Sequence, residues 1–169
     1  MEERFKLEQV AIRLVPEVPL CDDKPIQSPG RAVEVIGKYI RNMDREAVCV
    51  VNFNTRLQPI NFQIVSIGTL DQALCKPREL LKAAILSNAS SMMILHNHPA
   101  GSIAPSGCDI QMTERMEKVC ELVGIPLMDS IIVGFGREDY FSFRDASMLV
   151  EQNQQSDRAA EERSGRGGR

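Results

Sequence analysis

The two histidines of the chain, together with a serine and an aspartate that follow them, are the residues whose types and spacing best suit catalysis. His96 and His98 are one residue apart, and Ser106 and Asp109 come soon after. The apolar run before His96 predicts a buried strand, and side chains at i and i+2 of a strand point to the same side. Two imidazoles, one carboxylate and an open fourth position form the ligand set of a catalytic zinc site. We therefore interpret His96, His98 and Asp109 as metal ligands.

The same residues also permit simpler interpretations. A His-x-His pair at a strand end is more often structural or solvated than metal-binding. Ser106-x-x-Asp109 before an apolar periodic stretch is a signature of a helix N-terminal cap. Both interpretations can hold together, because a cap that fixes the first helical turn would also hold Asp109 towards the histidines. The intervening residues 99–105 are rich in turn formers and can reverse the chain.

The words HNHPAGS and PSGCD in this region resemble the motif of the JAMM (MPN-plus, JAB) metalloproteases, and most closely that of the bacterial RadC-like branch. Short sequence motifs similar to those of that branch also occur at Gly68–Leu70, Lys76–Glu79, Asn88–Ala89 and Asp129–Gly134. The resemblance therefore covers roughly residues 28–144. It implies a metalloprotease with one zinc ion per chain, held by His96, His98 and Asp109. It also implies that Ser106 stabilises the developing oxyanion.

The resemblance further implies a glutamate general base, which in JAMM proteins opens the strand after the first helix. Glu46 stands in that position, directly before the apolar run 47–53. From local sequence alone, Asp44-Arg45-Glu46 is typical of an exposed charged turn. Glu79 is the rival base, although Pro77-Arg78-Glu79 is typical of a first helical turn, where acids are favoured by the helix dipole.

The hydrophobic pattern predicts an α/β fold with a mixed β-sheet sandwiched by helices, and the resemblance implies the cytidine-deaminase-like architecture of JAMM/MPN domains. Predicted helices cover about 29–44, with Ser28 as cap, then 77–87 and 109–123, with Gly124 as a stop and Asp145 as the cap of a last helix. Predicted strands cover 7–15, 47–53, 61–67, the run before the histidines, 130–135 and 140–143. We divide the chain into an N-terminal strand and turn segment (1–27), a catalytic domain (28–152) and a disordered tail (153–169).

Composition limits the classes of function. The net charge of −3 and pI near 5.5 argue against a large nucleic-acid footprint, so strong DNA binding is not expected. No apolar run is long enough to span a bilayer, which predicts no membrane association and a cytoplasmic protein. Five cysteines without C-x-x-C spacing indicate reduced, mostly buried thiols, and Cys108 beside Asp109 is expected to be buried at a helix start.

These observations favour a zinc-dependent hydrolase that acts on peptide or isopeptide bonds of an unknown protein or peptide substrate. RadC-like proteins usually carry a helix-hairpin-helix module, which is not expected in this short sequence, and Ser130 stands where many relatives have histidine. The alternative is a non-catalytic interaction protein of a DNA-maintenance or mobile-element system, although inactive MPN domains typically lose ligands. A nuclease of the His-Asn-His type would spread its residues over a longer ββα unit. A nucleobase deaminase would need the H-x-E and P-C-x-x-C signature, which is absent.

Overall fold

A five-stranded mixed β-sheet forms the frame of the protein. The computed structural model describes residues 11, 14–15, 25–68 and 75–149. The strands are β1 (Ala47–Phe53), β2 (Pro59–Ile67), β3 (Ser91–His98), β4 (Leu127–Gly134) and β5 (Tyr140–Ser142), in the spatial order β2-β1-β3-β4-β5. Strand β3 is central. It pairs antiparallel with β1 and parallel with β4, while β2 and β5 pair antiparallel at the two edges.

The helices begin and end at residues that the sequence marks. The first helix has three consecutive turns: α1 (Pro29–Ala32), a π-helical turn (Val33–Gly37) and α2 (Lys38–Ile40). The Ser28 side chain caps it by accepting a hydrogen bond from the amide of Arg31 at 3.2 Å. Helix α3 (Pro77–Leu86) starts at a proline, and α4 (Gly107–Val123) ends at Gly124, whose φ of 72° is left-handed.

The helices cover both faces of the sheet, as the predicted sandwich requires. One apolar cluster joins the first helix to one face of the sheet and includes Cys49, Val51, Met93 and Leu95. A second cluster joins α3 and α4 to the opposite face and includes Val48, Val50, Met92 and Ile94. Successive residues of β1 and β3 thus alternate between two covered faces, which explains why β1 is buried throughout and β3 is buried up to Asn97.

Most predicted elements are confirmed, and the differences have local causes. The first helix ends at Ile40 instead of about Asp44, because residues 41–42 form a turn and the Met43 carbonyl accepts a hydrogen bond from the Asn97 side chain. No helix follows Asp145 within the described residues, since 143–147 form turns in which the Ala146 amide donates to the Ser142 carbonyl. The predicted strand 7–15 lies outside the described residues except for 11 and 14–15, which are not in a strand, and the predicted tail 153–169 lies outside them entirely.

The strand directions bring several chain segments to one edge of the sheet. Parallel strands β3 and β4 both end there, at His98 and Gly134, and antiparallel β1 begins there at Ala47. Helix α4 also begins near this edge, after the turn-rich segment 99–106. The residues singled out for chemistry therefore converge from sequence positions far apart.

A substitution at the end of α4 tests the helix boundary. Gly124→Ala should destabilise the protein by about 1–2 kcal/mol, because an alanine pays a steric cost in the left-handed region. Gly107→Ala is the matched control: its Cβ would meet no atom within 4 Å, and it lies at a helical position without positive φ. Denaturant unfolding measures both variants. Equal free energies of unfolding for Gly124→Ala and the wild type would contradict the assigned cap.

Candidate metal centre

Strand alternation explains why the two histidines face the same side. Met92 and Ile94 of β3 pack against α3 and α4, and His96 and His98 continue this series of even-numbered side chains. His96 is buried, with 3% of its surface exposed, whereas the His98 side chain is 12% exposed. Asn97, between them, belongs to the opposite face. The two imidazoles therefore lie side by side, with ring centroids 5.0 Å apart.

Helix α4 delivers Asp109 to the same face. Thr113, Met116 and Cys120 are its buried residues, and Asp109 lies one turn before Thr113 on the same side of the helix. The Ser106 amide and hydroxyl donate to Asp109 Oδ2 at 2.7 and 2.6 Å, and the Asp109 amide donates back to Ser106 Oγ at 3.2 Å. The predicted capping box is therefore present, and it orients the Asp109 carboxylate.

The three side chains meet at distances that suit a metal ion. His96 Nε2 is 3.2 Å from Asp109 Oδ1, and His98 Nε2 is 3.4 Å from Asp109 Oδ2. One ligand atom from each residue lies within 4.8 Å of the other two. Two ligands about 2.0–2.2 Å from a tetrahedral ion are themselves roughly 3.3–3.6 Å apart. The His-His-Asp triad could therefore hold a metal ion.

Each imidazole has a ring nitrogen whose lone pair is available for metal coordination. His98 Nδ1 lies 2.8 Å from the Ser102 carbonyl, which can only accept, so Nδ1 carries the proton and Nε2 presents a lone pair when the ring is neutral. Both ring nitrogens of His96 are buried and have no hydrogen-bond partner, and the contact of its Nε2 with Asp109 has no hydrogen-bond geometry. Such orphaned nitrogens are costly in a buried site, and a metal ion would satisfy one of them.

Burial and the neighbouring groups shift the pKa values of Asp109 and His98 in opposite directions. Burial alone would raise the pKa of Asp109, but the adjacent imidazoles of His96 and His98 and the Ser106 hydroxyl hold it well below its usual range. A hydrogen bond that the protonated His98 ring can donate to Asp109 raises the pKa of His98. Burial opposes that shift, and the Ser102 carbonyl and the negative charges of Asp109 and Glu46 reinforce it. The carboxylate is thus ionised at neutral pH, as a metal ligand must be.

Glu46 lies beside this centre. Val48 pairs with His96 at the end of the antiparallel register of β1 and β3, and Glu46, two residues before Val48, lies at the same edge of the sheet. Its negative charge is one of the causes that raise the pKa of His98. Glu46 is half-buried, and its carbonyl accepts a hydrogen bond from the Gly68 amide at 2.7 Å. The simple interpretation of Glu46 as a side chain in an exposed charged turn is therefore not favoured.

The other residues considered from the sequence have local structural roles. Glu79 is exposed in the first turn of α3, where Lys82 Nζ donates to it at 2.6 Å. Asp129 and Ser130 lie in the first half of β4, away from the end that pairs with His98. Cys108 is exposed, so its predicted burial is wrong: at the second position of α4 it points away from the buried face that carries Asp109. Among the other described cysteines, Cys49 and Cys120 are buried and Cys75 is intermediate.

Three contributions to the site were not recognised in the sequence: the Asn97 side chain, the Ser102 carbonyl and Gly134. A Cβ at Gly134 would lie 2.7 Å from the Gly101 carbonyl oxygen and 3.2 Å from Ile103 Cγ2. The loop that supplies the Ser102 carbonyl therefore rests directly on the backbone of β4. For Asn97 the signal was present, because alternation directs its side chain away from the histidines. For Gly134 and Ser102 a single sequence contains no signal.

The fold and the centre define an α/β domain in which a strand end and a capped helix start could together hold a metal ion. The RadC-like JAB domain family model matches residues 26–148, and the chain belongs to this family. The match spans the whole described sheet and all three proposed ligands. No described helix is both long and apolar enough to cross a membrane.

Curated relatives carry names that describe no activity. The chain is 38% identical over 127 residues to a "UPF0758 protein" of Chlorobaculum parvum, covering 75% of this chain and 56% of the relative. It is 39% identical over 124 residues to a "UPF0758 protein" of Rubrobacter xylanophilus, covering 73% of this chain and 53% of the relative. The chain therefore spans about half the length of these relatives, and their names leave the reaction open.

The close approach at Gly134 yields a test of how His98 is oriented. Gly134→Ala should displace the loop 101–103 and its Ser102 carbonyl, and so weaken metal binding about 10–100-fold, the usual effect of losing a partner that orients a ligand. Competition with a chromophoric chelator measures the affinity for an added divalent metal ion. Gly107→Ala, which has open space, is the control. Wild-type affinity in a folded Gly134→Ala protein would show that this loop does not orient the ligand.

Proposed function

We propose that the protein is a zinc-dependent hydrolase that cleaves peptide or isopeptide bonds, with His96, His98 and Asp109 as the zinc ligands. One observation carries the proposal: two imidazole nitrogens and an oriented carboxylate meet at metal-ligand spacing, and the buried nitrogens of His96 lack any hydrogen-bond partner. Membership of the RadC-like JAB family supports it, since the sequence motif resembles that of the JAMM metalloproteases.

The donor set favours zinc over other common ions. Two imidazole nitrogens with one carboxylate oxygen suit zinc and leave a fourth tetrahedral position open, as in catalytic zinc sites. Calcium and magnesium prefer ligand sets made of oxygen alone. When bound, zinc would supply Lewis acidity and a water whose pKa is lowered to about 7.

Glu46 is our candidate for the general base. A base must lie within reach of the attacking water, and Glu46 directly precedes β1 at the edge of the sheet where β3 ends with His98. A catalytic tetrahedral zinc site has three protein ligands, and His96, His98 and Asp109 already supply them, so Glu46 is not needed as a fourth ligand. Its carboxylate would take a proton from the water and deliver it to the leaving amine.

Ser106 is our candidate for stabilising the oxyanion, and its hydrogen bonds define a condition for that role. The serine is exposed at the start of α4, where a substrate carbonyl can approach it. Its one hydroxyl proton is donated to Asp109 Oδ2 at 2.6 Å, so the hydroxyl must turn from Asp109 to serve a substrate oxygen.

Zinc content is the first test. Protein purified without added metal should contain close to one zinc ion per chain by elemental analysis, because the three ligands are already oriented by the fold. A His96→Ala, His98→Ala double variant should contain none. Zinc retained by that variant at the wild-type level would place the metal elsewhere and refute the assignment.

The general base is tested by kinetics on a panel of quenched-fluorescence peptides and isopeptides, with a metal-stripped sample beside the zinc-loaded one. Glu46→Gln should keep zinc and the fold but lose about 10²–10⁴ in turnover, because the amide cannot accept a proton. Glu79→Gln, the matched control, should cleave at the wild-type rate. If the two results are exchanged, Glu79 is the base. If the zinc-loaded wild type cleaves nothing on the panel, the non-catalytic alternative is favoured.

A further inference from the structure

Asn97, the residue between the two histidines, makes hydrogen bonds to the backbone around the start of β1. Asn97 is completely buried, with 0% of its surface exposed, and its side chain lies on the face of the sheet opposite the metal centre. Its Oδ1 accepts a hydrogen bond from the Ala47 amide at 2.7 Å. Its Nδ2 donates to the carbonyls of Met43 at 3.3 Å and Arg45 at 3.1 Å. One amide side chain thus engages three backbone groups of the segment that joins the first helix to β1.

Two of these backbone groups flank Glu46. The Arg45 carbonyl belongs to the peptide unit before the Glu46 Cα, and the Ala47 amide belongs to the peptide unit after it. Asn97 therefore holds both planes between which the φ and ψ angles of Glu46 are defined. The Glu46 carbonyl is held as well, because it accepts the Gly68 amide at 2.7 Å. With both dihedral angles restrained, the direction of the Glu46 Cα–Cβ bond is set by the backbone.

We propose that Asn97 is a positioning residue that aims the Glu46 carboxylate at the metal centre. Because neighbouring strand residues point to opposite faces, His96 and His98 face the metal centre while Asn97, between them, holds the backbone around Glu46 from the other face. We call the three hydrogen bonds of Asn97 the clamp. Three consecutive residues of β3 then fix the position of the base relative to the two histidine ligands. The inference rests on the proposed function, in which Glu46 is the base.

An asparagine suits this position for a specific reason. The segment offers one donor, the Ala47 amide, and two acceptors, the Met43 and Arg45 carbonyls. A carboxamide supplies one acceptor oxygen and two donor hydrogens, so it satisfies all three. A serine is too short and an aspartate would place a charge against two carbonyl oxygens. Burial makes the match strict, since an unpaired polar group in this position would cost about 1–3 kcal/mol.

The hydrogen bonds are tested directly by amide exchange, without any substrate. In Asn97→Ala the Ala47 amide should exchange at least about tenfold faster relative to that of Val51, in the middle of the same strand, so that a general loss of stability cancels. Asn52→Ala is the matched control, because Asn52 is equally buried in β1 but bonds to Asn61. It should leave the ratio of the two amides unchanged. An unchanged ratio in Asn97→Ala would overturn the clamp.

The action through Glu46 is tested by a double-mutant cycle on the cleavage panel. Asn97→Ala should keep wild-type zinc affinity and lower kcat about 10–100-fold with little change in KM, as expected for a displaced catalytic group. In the Glu46→Gln background the same substitution should change kcat by no more than about twofold, because the group that it positions is already disabled. If both losses multiply in full, Asn97 does not act through Glu46, although the proposed hydrolase stands.

Amide exchange and the double-mutant cycle together distinguish failure of the clamp from failure of the proposed function. If no panel member is cleaved, the hydrolase proposal fails and amide exchange alone decides whether Asn97 restrains residues 45–47. If Asn97→Ala does not fold, the wild-type protein provides the measurement. Its Ala47 amide, at the first position of β1, should then exchange as slowly as that of Val51. Exchange as fast as the amide of exposed Arg45 would overturn the clamp.

Discussion

The alternation of side chains at the end of β3 is the constraint on which the candidate site depends. Three consecutive residues, His96, Asn97 and His98, point alternately to two faces of the sheet, so the two histidines contact other parts of the chain than Asn97 does. His96 meets Asp109 of α4, Asn97 holds the segment before β1, and His98 meets both Asp109 and the Ser102 carbonyl. A shift of one residue in the register of β3 would exchange the faces and lose every one of these contacts.

Asp109 connects the stability of α4 with the chemistry of the site. Its Oδ2 accepts the Ser106 amide and hydroxyl in the capping box, while its Oδ1 faces His96 Nε2 at 3.2 Å. One carboxylate thus satisfies the helix start and presents an oxygen to the histidines. The rotamer that suits the cap also directs Oδ1 towards the histidines, so a metal ion bound there would cost little additional side-chain entropy. Replacing this aspartate therefore affects the helix as well as the site.

The parts of the site that follow local rules could be predicted from the sequence. A buried strand predicts that His96 and His98 share a face, and a capping signature predicts that Asp109 is held at a helix start. Both are confirmed, and so is the mixed sheet between helices. Glu46 beside His98 required the family resemblance, because local sequence alone made it an exposed side chain in a charged turn. The packing of residues 101–103 on Gly134 depends on two segments distant in sequence, and no local pattern records such an approach.

Ser106 shows how capping and chemistry compete for one proton. A serine hydroxyl has one hydrogen and two lone pairs, and here one lone pair accepts the Asp109 amide while the hydrogen is donated to Oδ2 of the same residue. The Ser106 amide also donates to that oxygen at 2.7 Å, so Oδ2 keeps a partner if the hydroxyl turns away. The cap can therefore release the hydroxyl without leaving the carboxylate oxygen unsatisfied. This redundancy is the physical basis on which one exposed serine could serve both the helix and a developing oxyanion.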